Sequence, residues 1–356
     1  MNSVCILGAS YLVAQAKYPA KPAPTREVQV ATLKLDEVEL TSLGKQGTIM
    51  SANYTCASDG SLFVQVADSP DDIMLSLHAL GGPDKDIRFD PGVVQGYDAI
   101  SWPLNYFVNG KHVAALVEAE HSANLIEKNK KAEGRIHLVL IYDRKGVLEH
   151  VVPVPAQVDA KSIGLYASGD LLIIGINKSD KTARLFVLDM TGSIKNEFLL
   201  FDNDYNAAPD AVTKQPLAAL IPDGALAFTQ IIPHGENLLL FPRTTSQAVI
   251  EVNEGGVVRS IQLQLPLKQT LSSFLSASDT SWKIRTFAKI DSNGAQYEGP
   301  VFEFNPFDGA LIRRIDLPKD SPAILACEHD GVYTALTTDP KTGQLELLRG
   351  HIATSN

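Results

Sequence analysis

Helix signals are what the sequence has least of. Across its 356 residues, apolar side chains almost never recur at the i, i+3, i+4, i+7 spacing of an amphipathic helix, so β-structure must carry the fold. Cysteine is scarce too. Cys5, Cys56 and Cys327 are the three present, which excludes a disulfide-stapled scaffold, and no zinc-ligand spacing exists among them. Basic charge is in deficit: 31 Lys and Arg against 41 Asp and Glu give a net charge of −10. That balance argues against broad nucleic-acid binding and docking on an anionic membrane surface, both of which need a basic footprint. Past the N-terminus no apolar run reaches the length of a membrane span. Nucleophile elbows of the G-x-S-x-G type, phosphate-binding P-loops and G-x-G-x-x-G turns are missing as well.

What is present is a repeated hairpin. The stretch "VLDMTGSIKNEFLL" (187–200) alternates apolar and polar residues, breaks at an Asp and a Gly, and alternates again. Its relatives are "LVLIYDRKGVLEHVVPV" (138–154), "AVIEVNEGGVVRSIQLQL" (248–265) and "VFEFNPFDGALIRRIDL" (301–317), turning at Asp143, Asn253 and Asn305. In each, an Asp or Asn can bond its own backbone and a Gly is free to take positive φ. Upstream of these hairpins lie strand pairs with shorter turns, such as "IGLYASGDLLIIGI" (163–176), "FTQIIPHGENLLLF" (228–241) and "ILACEHDGVYTAL" (324–336). "NYTCASDGSLFVQV" (53–66) is a further one.

Together they predict an all-β fold, a six-bladed β-propeller of four-stranded antiparallel blades in units of about 45–60 residues. The blades run from 47 to 89, 97 to 154, 161 to 201, 226 to 265, 271 to 317 and 323 to 352. The last shows only three strands, and "VQVATLKL" (28–35) has no local partner. Pairing the two removes both free edges, so the N-terminal strand is expected to complete the last blade. A seven-bladed ring and a two-sheet sandwich are the rival arrangements.

The hairpins "RIHLVLIYDRKGVLEHV" and "RLFVLDMTGSIKNEF" resemble the second half of an NHL repeat: a basic residue, an alternating strand, Asp, a turn, Gly and a strand. At the level of architecture the chain is similar to propellers of the NHL and TolB-like group. The resemblance implies a fold and assigns no residue a role.

The start of the chain, with an apolar run from Val4 to Val13 followed by Ala14-Gln15-Ala16, has the pattern of a secretory signal cleaved after Ala16. A basic n-region is missing. Residues 1–16 are therefore read as a signal peptide, 17–26 as a Pro/Ala/Lys-rich tether and 27–353 as one propeller domain, secreted or periplasmic. The alternative is a cytoplasmic chain whose apolar start is a first strand or tail.

Candidate sites are few. Asp202, Asp204 and Asn206 open like a calcium loop, but Ala207 stands where a hand-type loop needs Gly and Thr213 where it needs Glu. Glu118 and Glu120 would share one strand face, with His121 on the other. His234 and His329 fall in short turns, and Asn53 and Asn177 begin glycosylation sequons. Cys56 and Cys327 each lie three residues before the Asp of a D-G turn, hence at equivalent positions in blades that a ring makes neighbours. They form a disulfide if the backbones come close enough, and otherwise remain two buried thiols.

Two functions fit. One is an exported, non-catalytic, monomeric scaffold that binds a protein, peptide or small ligand, with loops 119–134 and 202–224 as partner surfaces. The other is a propeller hydrolase or lactonase with a metal in the central channel, for which Glu118, Asp170, Glu236 and Glu328 can be proposed, though no spacing rule selects them above other acids and none is assigned.

Overall fold

The computed structural model describes residues 28–45, 54–69, 72–78, 85–88, 94, 96–100, 103–121, 136–199, 229–242, 248–265, 271–286, 289–290, 296–297, 299–318, 323–339, 341–342 and 344–353. Among them every regular element is a strand. The signal-peptide segment, Asn53, and the 122–134 and 202–224 loops with Asp202, Asp204 and Asn206 lie outside the described residues.

A long strand, β1 (Gln29–Lys45), comes first. Sheet I holds β2 (Tyr54–Cys56), β3 (Leu62–Ser69), β4 (Asp72–His78) and β5 (Lys85–Arg88). Sheet II holds β6 (Tyr97–Ile100), β7 (Asn105–Val108), β8 (His112–His121), β9 (Ile136–Asp143) and β10 (Leu148–Pro153). Its first strand is split in two, β6 and β7 both pairing with β8, because Pro103 between them offers no N–H to the ladder. Sheet III is β11 (Val158–Leu165), β12 (Leu171–Asn177), β13 (Ala183–Leu188) and β14 (Ile194–Leu199). Sheet IV is β15 (Gln230–His234), β16 (Asn237–Phe241), β17 (Ala248–Asn253) and β18 (Gly256–Gln262).

Unit V runs β19 (Leu271–Ala277), β20 (Trp282–Thr286), a small hairpin of β21 (Lys289–Ile290) and β22 (Gln296–Tyr297), then β23 (Val301–Phe304) and β24 (Leu311–Asp316). Unit VI has β25 (Ile324–His329), β26 (Val332–Thr338) and β27 (Gln344–Ile352). Antiparallel four-stranded sheets repeated in chain order are consistent with a β-propeller.

The N-terminal strand does pair with the last one, antiparallel, from Leu33↔Ile352 to Lys45↔Gln344. It does more than the edge argument asked. Its first residues, Gln29 to Thr32, pair in parallel with Arg313 to Asp316 of β24, fusing units V and VI into one eight-stranded sheet. The first strand of each sheet adjoins the next in a circuit: β2 with β7, then β11, β15, β19 and β25, and β25 again with β2.

The hairpin chemistry is as the repeats imply. Asp189 Oδ1 accepts the N–H groups of Thr191 (2.8 Å) and Ser193 (3.0 Å), and Asp143 takes those of Lys145 and Val147, both at 2.8 Å. At Gly192, φ is +85°, and a side chain there would run into the Pro153 carbonyl of the preceding sheet.

The core sits in the seams. Phe63 meets Val113 and Val117 between sheets I and II, while Leu172 and Phe186 share a cluster with Leu116 and Leu240 from II and IV. Phe241, Phe274 and Trp282 stack edge to face between IV and V. Leu62 and Val64 pack on Ala326 and Leu336 between I and VI. Because such sheets are covered on both faces, their middle strands read as solid apolar runs, such as Leu171–Ile174 in β12. Outer strands such as β18 keep an exposed edge.

Candidate functional site

Polar side chains bind the seams together. An innermost strand has a ladder partner on one side only, so its other edge carries unpaired backbone groups. Gln230 of β15 satisfies two of them on the next sheet, its Oε1 accepting from Phe274 N (2.8 Å) and its Nε2 donating to Phe274 O (3.3 Å). Asn105 Oδ1 accepts from Ile163 N at 3.1 Å. Tyr54 O–H donates to the Leu325 carbonyl at 3.5 Å, beneath the guanidinium of Arg285, which donates to the same oxygen at 3.2 Å. Between I and II, Arg144 donates to Ser61 Oγ (2.7 Å) and Asn109 O (2.8 Å) and pairs with Asp59 at 3.1 Å.

A cleft of about 470 Å³ opens where the carboxyl ends of β15, β19, β25 and β2 meet. Apolar Ile232, Pro233 and Phe274 line it together with hydroxyls of Ser58, Thr280 and Ser281. Its wall between units V and VI is built on Glu328, whose side chain is 5% exposed. Glu328 Oε1 accepts from Lys283 Nζ (2.6 Å) and Gly331 N (2.8 Å), and Oε2 accepts from Ser276 Oγ. Burial pushes this carboxyl's pKa up, but the hydrogen bonds from Lys283 and Ser276, the lysine's charge and the Gly331 N–H outweigh it and hold the group below its ordinary value. Glu328 is therefore a carboxylate clamp. The turn beside it, Asp330-Gly331, has φ of +49° and +81°, the backbone of a two-residue type I′ hairpin.

Cys56 also lines the cleft. Its Cα stands 5.7 Å from that of Cys327, with the two sulfurs facing each other. The ~7 Å limit that leaves such a pair open in the sequence is met with room to spare.

Other candidates are dispersed. Glu118 faces His137 across β8 and β9 at 3.6 Å. The His137 Nδ1 accepts from Ala160 N at 3.2 Å, so the neutral ring carries its proton on Nε2, toward Glu118. Burial lowers the pKa of His137 despite the opposing pull of Asp159 and Glu118. Asp170 pairs with Lys195, Glu236 is exposed in the β15–β16 turn, and His234 sits 3.5 Å from Glu251 and 3.3 Å from Asp279. Among the described residues no group of three or more His, Cys, Asp or Glu side chains converges in a way that could hold a metal ion. No helix among them is long and apolar enough to cross a membrane. The sequence offers Glu328 only as one acid among four and gives Lys283, Ser276, Gln230 and His137 no role. Nothing in their local spacing distinguishes them.

No protein-family model and no curated protein matches the chain. Among solved structures it is similar to a catalytically inactive virginiamycin B lyase from Staphylococcus aureus with quinupristin, at 12% identity and a TM-score of 0.40, covering 90% of this chain and 100% of that one. A neuraminidase-like protein of A/flat-faced bat/Peru gives 10% and 0.43, with 92% and 95% covered. An exo-β-1,3-galactanase from Clostridium thermocellum gives 9% and 0.38, with 91% and 77% covered. At these scores the fold rests on the sheets themselves and not on the likenesses.

Proposed function

We propose that this chain is an exported, non-catalytic, six-bladed β-propeller of the NHL and TolB-like kind, a monomer that binds a protein, peptide or small ligand in the cleft at the ends of the first strands. The circuit of six first strands and the β1–β27 ladder support the blade number and the closure. The N-terminal Val4–Ala16 pattern supports export. The observation that carries binding is the cleft itself: about 470 Å³ of mixed apolar and hydroxyl lining, with its buried carboxylate already committed to three donors that hold the wall in place. A pre-formed concavity of that size and lining is what a binding site requires.

The hydrolase or lactonase reading needs several ligands converging on one metal. Glu118 faces His137, Asp170 pairs with Lys195, and Glu328 is held by Lys283 and Ser276, whereas Asp202, Asp204 and Asn206 lie outside the described residues.

The test is a thermal-shift screen of peptides and small organic ligands on the wild type and on Ser58→Trp and Ala277→Trp, which fill the cleft and leave the Glu328 clamp intact. Ligands that stabilise the wild type and lose their effect in both variants are expected. Ligands whose effect survives both variants would move the site elsewhere. One tightly held metal ion per chain, together with hydrolysis of a lactone, would replace this reading with the enzymatic one. Export is checked separately by the mature N-terminus, expected at Lys17.

A further inference from the structure

We infer that Cys56 and Cys327 form a structural disulfide that joins the first sheet to the last, and that outside thiols reach it only through the cleft, by way of Cys56. The inference stands on geometry and does not depend on what, if anything, the cleft binds. The two residues occupy matching positions, the ends of β2 and β25, each just before a D-G turn. They are 271 residues apart in sequence, yet their Cα atoms are 5.7 Å apart, inside the range a disulfide spans without backbone movement. The seam around them is already fixed by Tyr54 O–H on the Leu325 carbonyl and by Leu62 and Val64 packed on Ala326 and Leu336, so the sulfurs are held in place by groups other than themselves.

Formation takes two protons and two electrons from the thiols. A disulfide oxidant of the exported compartment, either a protein or a small-molecule disulfide, accepts the electrons and is itself reduced to two thiols. The clasp thus fits an oxidising compartment.

The two sulfurs are not equivalent. Cys327 is fully buried, whereas Cys56 is only partly buried and lines the cleft. An entering thiolate therefore bonds to the Cys56 sulfur. The Cys56–Cys327 bond breaks, Cys327 leaves as a thiolate and takes a proton from water. A second thiolate then attacks the mixed disulfide, releasing Cys56 and a small-molecule disulfide. Once reduced, Cys56 S–H has an acceptor waiting, the Ala326 carbonyl 3.4 Å away. Reduction weakens the seam without emptying it of hydrogen bonds.

The experiment uses the full chain, purified in buffer containing a small-molecule disulfide. After denaturation, iodoacetamide without reductant is expected to leave Cys56 and Cys327 unlabelled. After reductant it labels both, and digestion before reduction yields their peptides linked. If both label without reductant, the disulfide is overturned. Native protein quenched early in reaction with a small thiol is expected to carry the adduct on Cys56, and Ser58→Trp is expected to slow reduction severalfold. An adduct on Cys327, or an unchanged rate, would overturn the route through the cleft. Cys56→Ser/Cys327→Ser is expected to unfold at the lower urea midpoint of the reduced wild type and not at that of the oxidised protein. Equal midpoints for all three would overturn the structural role.

Discussion

Glu328 and Lys283 meet at 2.6 Å across the boundary between units V and VI, the carboxylate on β25 and the ammonium on β20, both almost buried. Neither belongs to the other's hairpin. Their contact exists only because two residues 45 apart in sequence are brought together where units V and VI lie side by side. Removing Lys283 leaves the buried carboxylate with only Ser276 and Gly331 as donors and no opposing charge, and breaking a buried pair costs about 3–5 kcal/mol. Lys283→Met is therefore expected to lower stability by that order in urea unfolding, while Lys283→Met/Glu328→Leu recovers most of it. The pH dependence has a definite sign. The folded carboxyl pKa lies below its ordinary value of 4.5, so its contribution is complete above that value and is lost as pH falls through the lower folded one. Wild-type stability should drop in that acid window, and the drop should be smaller in the double variant.

His137 behaves in the opposite charge sense. Its pKa is depressed below 6.5, with burial as the largest cause, and its Nδ1 is occupied as an acceptor for Ala160 N. Protonation is easier in the unfolded chain, which binds more protons as pH falls below that value. The stability it supports is therefore full above 6.5 and declines as pH drops from there through the folded pKa. Urea midpoints measured between neutral and mildly acid pH should show this step. His137→Asn, which keeps an acceptor for Ala160 N and cannot titrate, should abolish it.

Gly192 and Gly110 separate two kinds of turn glycine. Gly192 combines φ of +85° with the Pro153 carbonyl where a Cβ would stand. Gly192→Ala is expected to cost roughly 1–3 kcal/mol, the range for a residue forced into a sparse backbone region. Around Gly110 there is open space. Gly110→Ala should be neutral or stabilising by up to about 1 kcal/mol through the unfolded chain.

The N-terminal strand should be indispensable. β1 covers the open edges of both β27 and β24. A chain beginning at residue 46 would expose two rows of unpaired backbone groups, the condition for edge-to-edge association. Size-exclusion chromatography is expected to show it aggregated relative to the full chain. A soluble, monomeric, cooperatively folding truncation would mean that the ladder is dispensable.

The repeated hairpins were legible because their chemistry is local. Asp143 and Asp189 bond N–H groups two and four residues on, and the glycines after them supply the positive φ. Both demands fall within five consecutive residues, so they are written in adjacent letters. The pairing of the orphan first strand was legible for a different reason: an incomplete three-stranded unit leaves backbone groups that something must satisfy, and one unused strand remained. Its parallel pairing with β24 was not, because which second edge lies within reach depends on how the units are placed.

From the residues alone, then, came the strands, their turns, the equivalence of Cys56 and Cys327 and the need for β1 to find an edge. The tertiary structure alone decided that Gln230 would cap Phe274, that Glu328 would take Lys283, Ser276 and Gly331 as donors, and that a cleft would open beside them. The physical reason is range. Turn geometry is fixed by dihedral angles and by bonds a few residues long, whereas a seam between sheets joins groups whose separation along the chain carries no information about their separation in space.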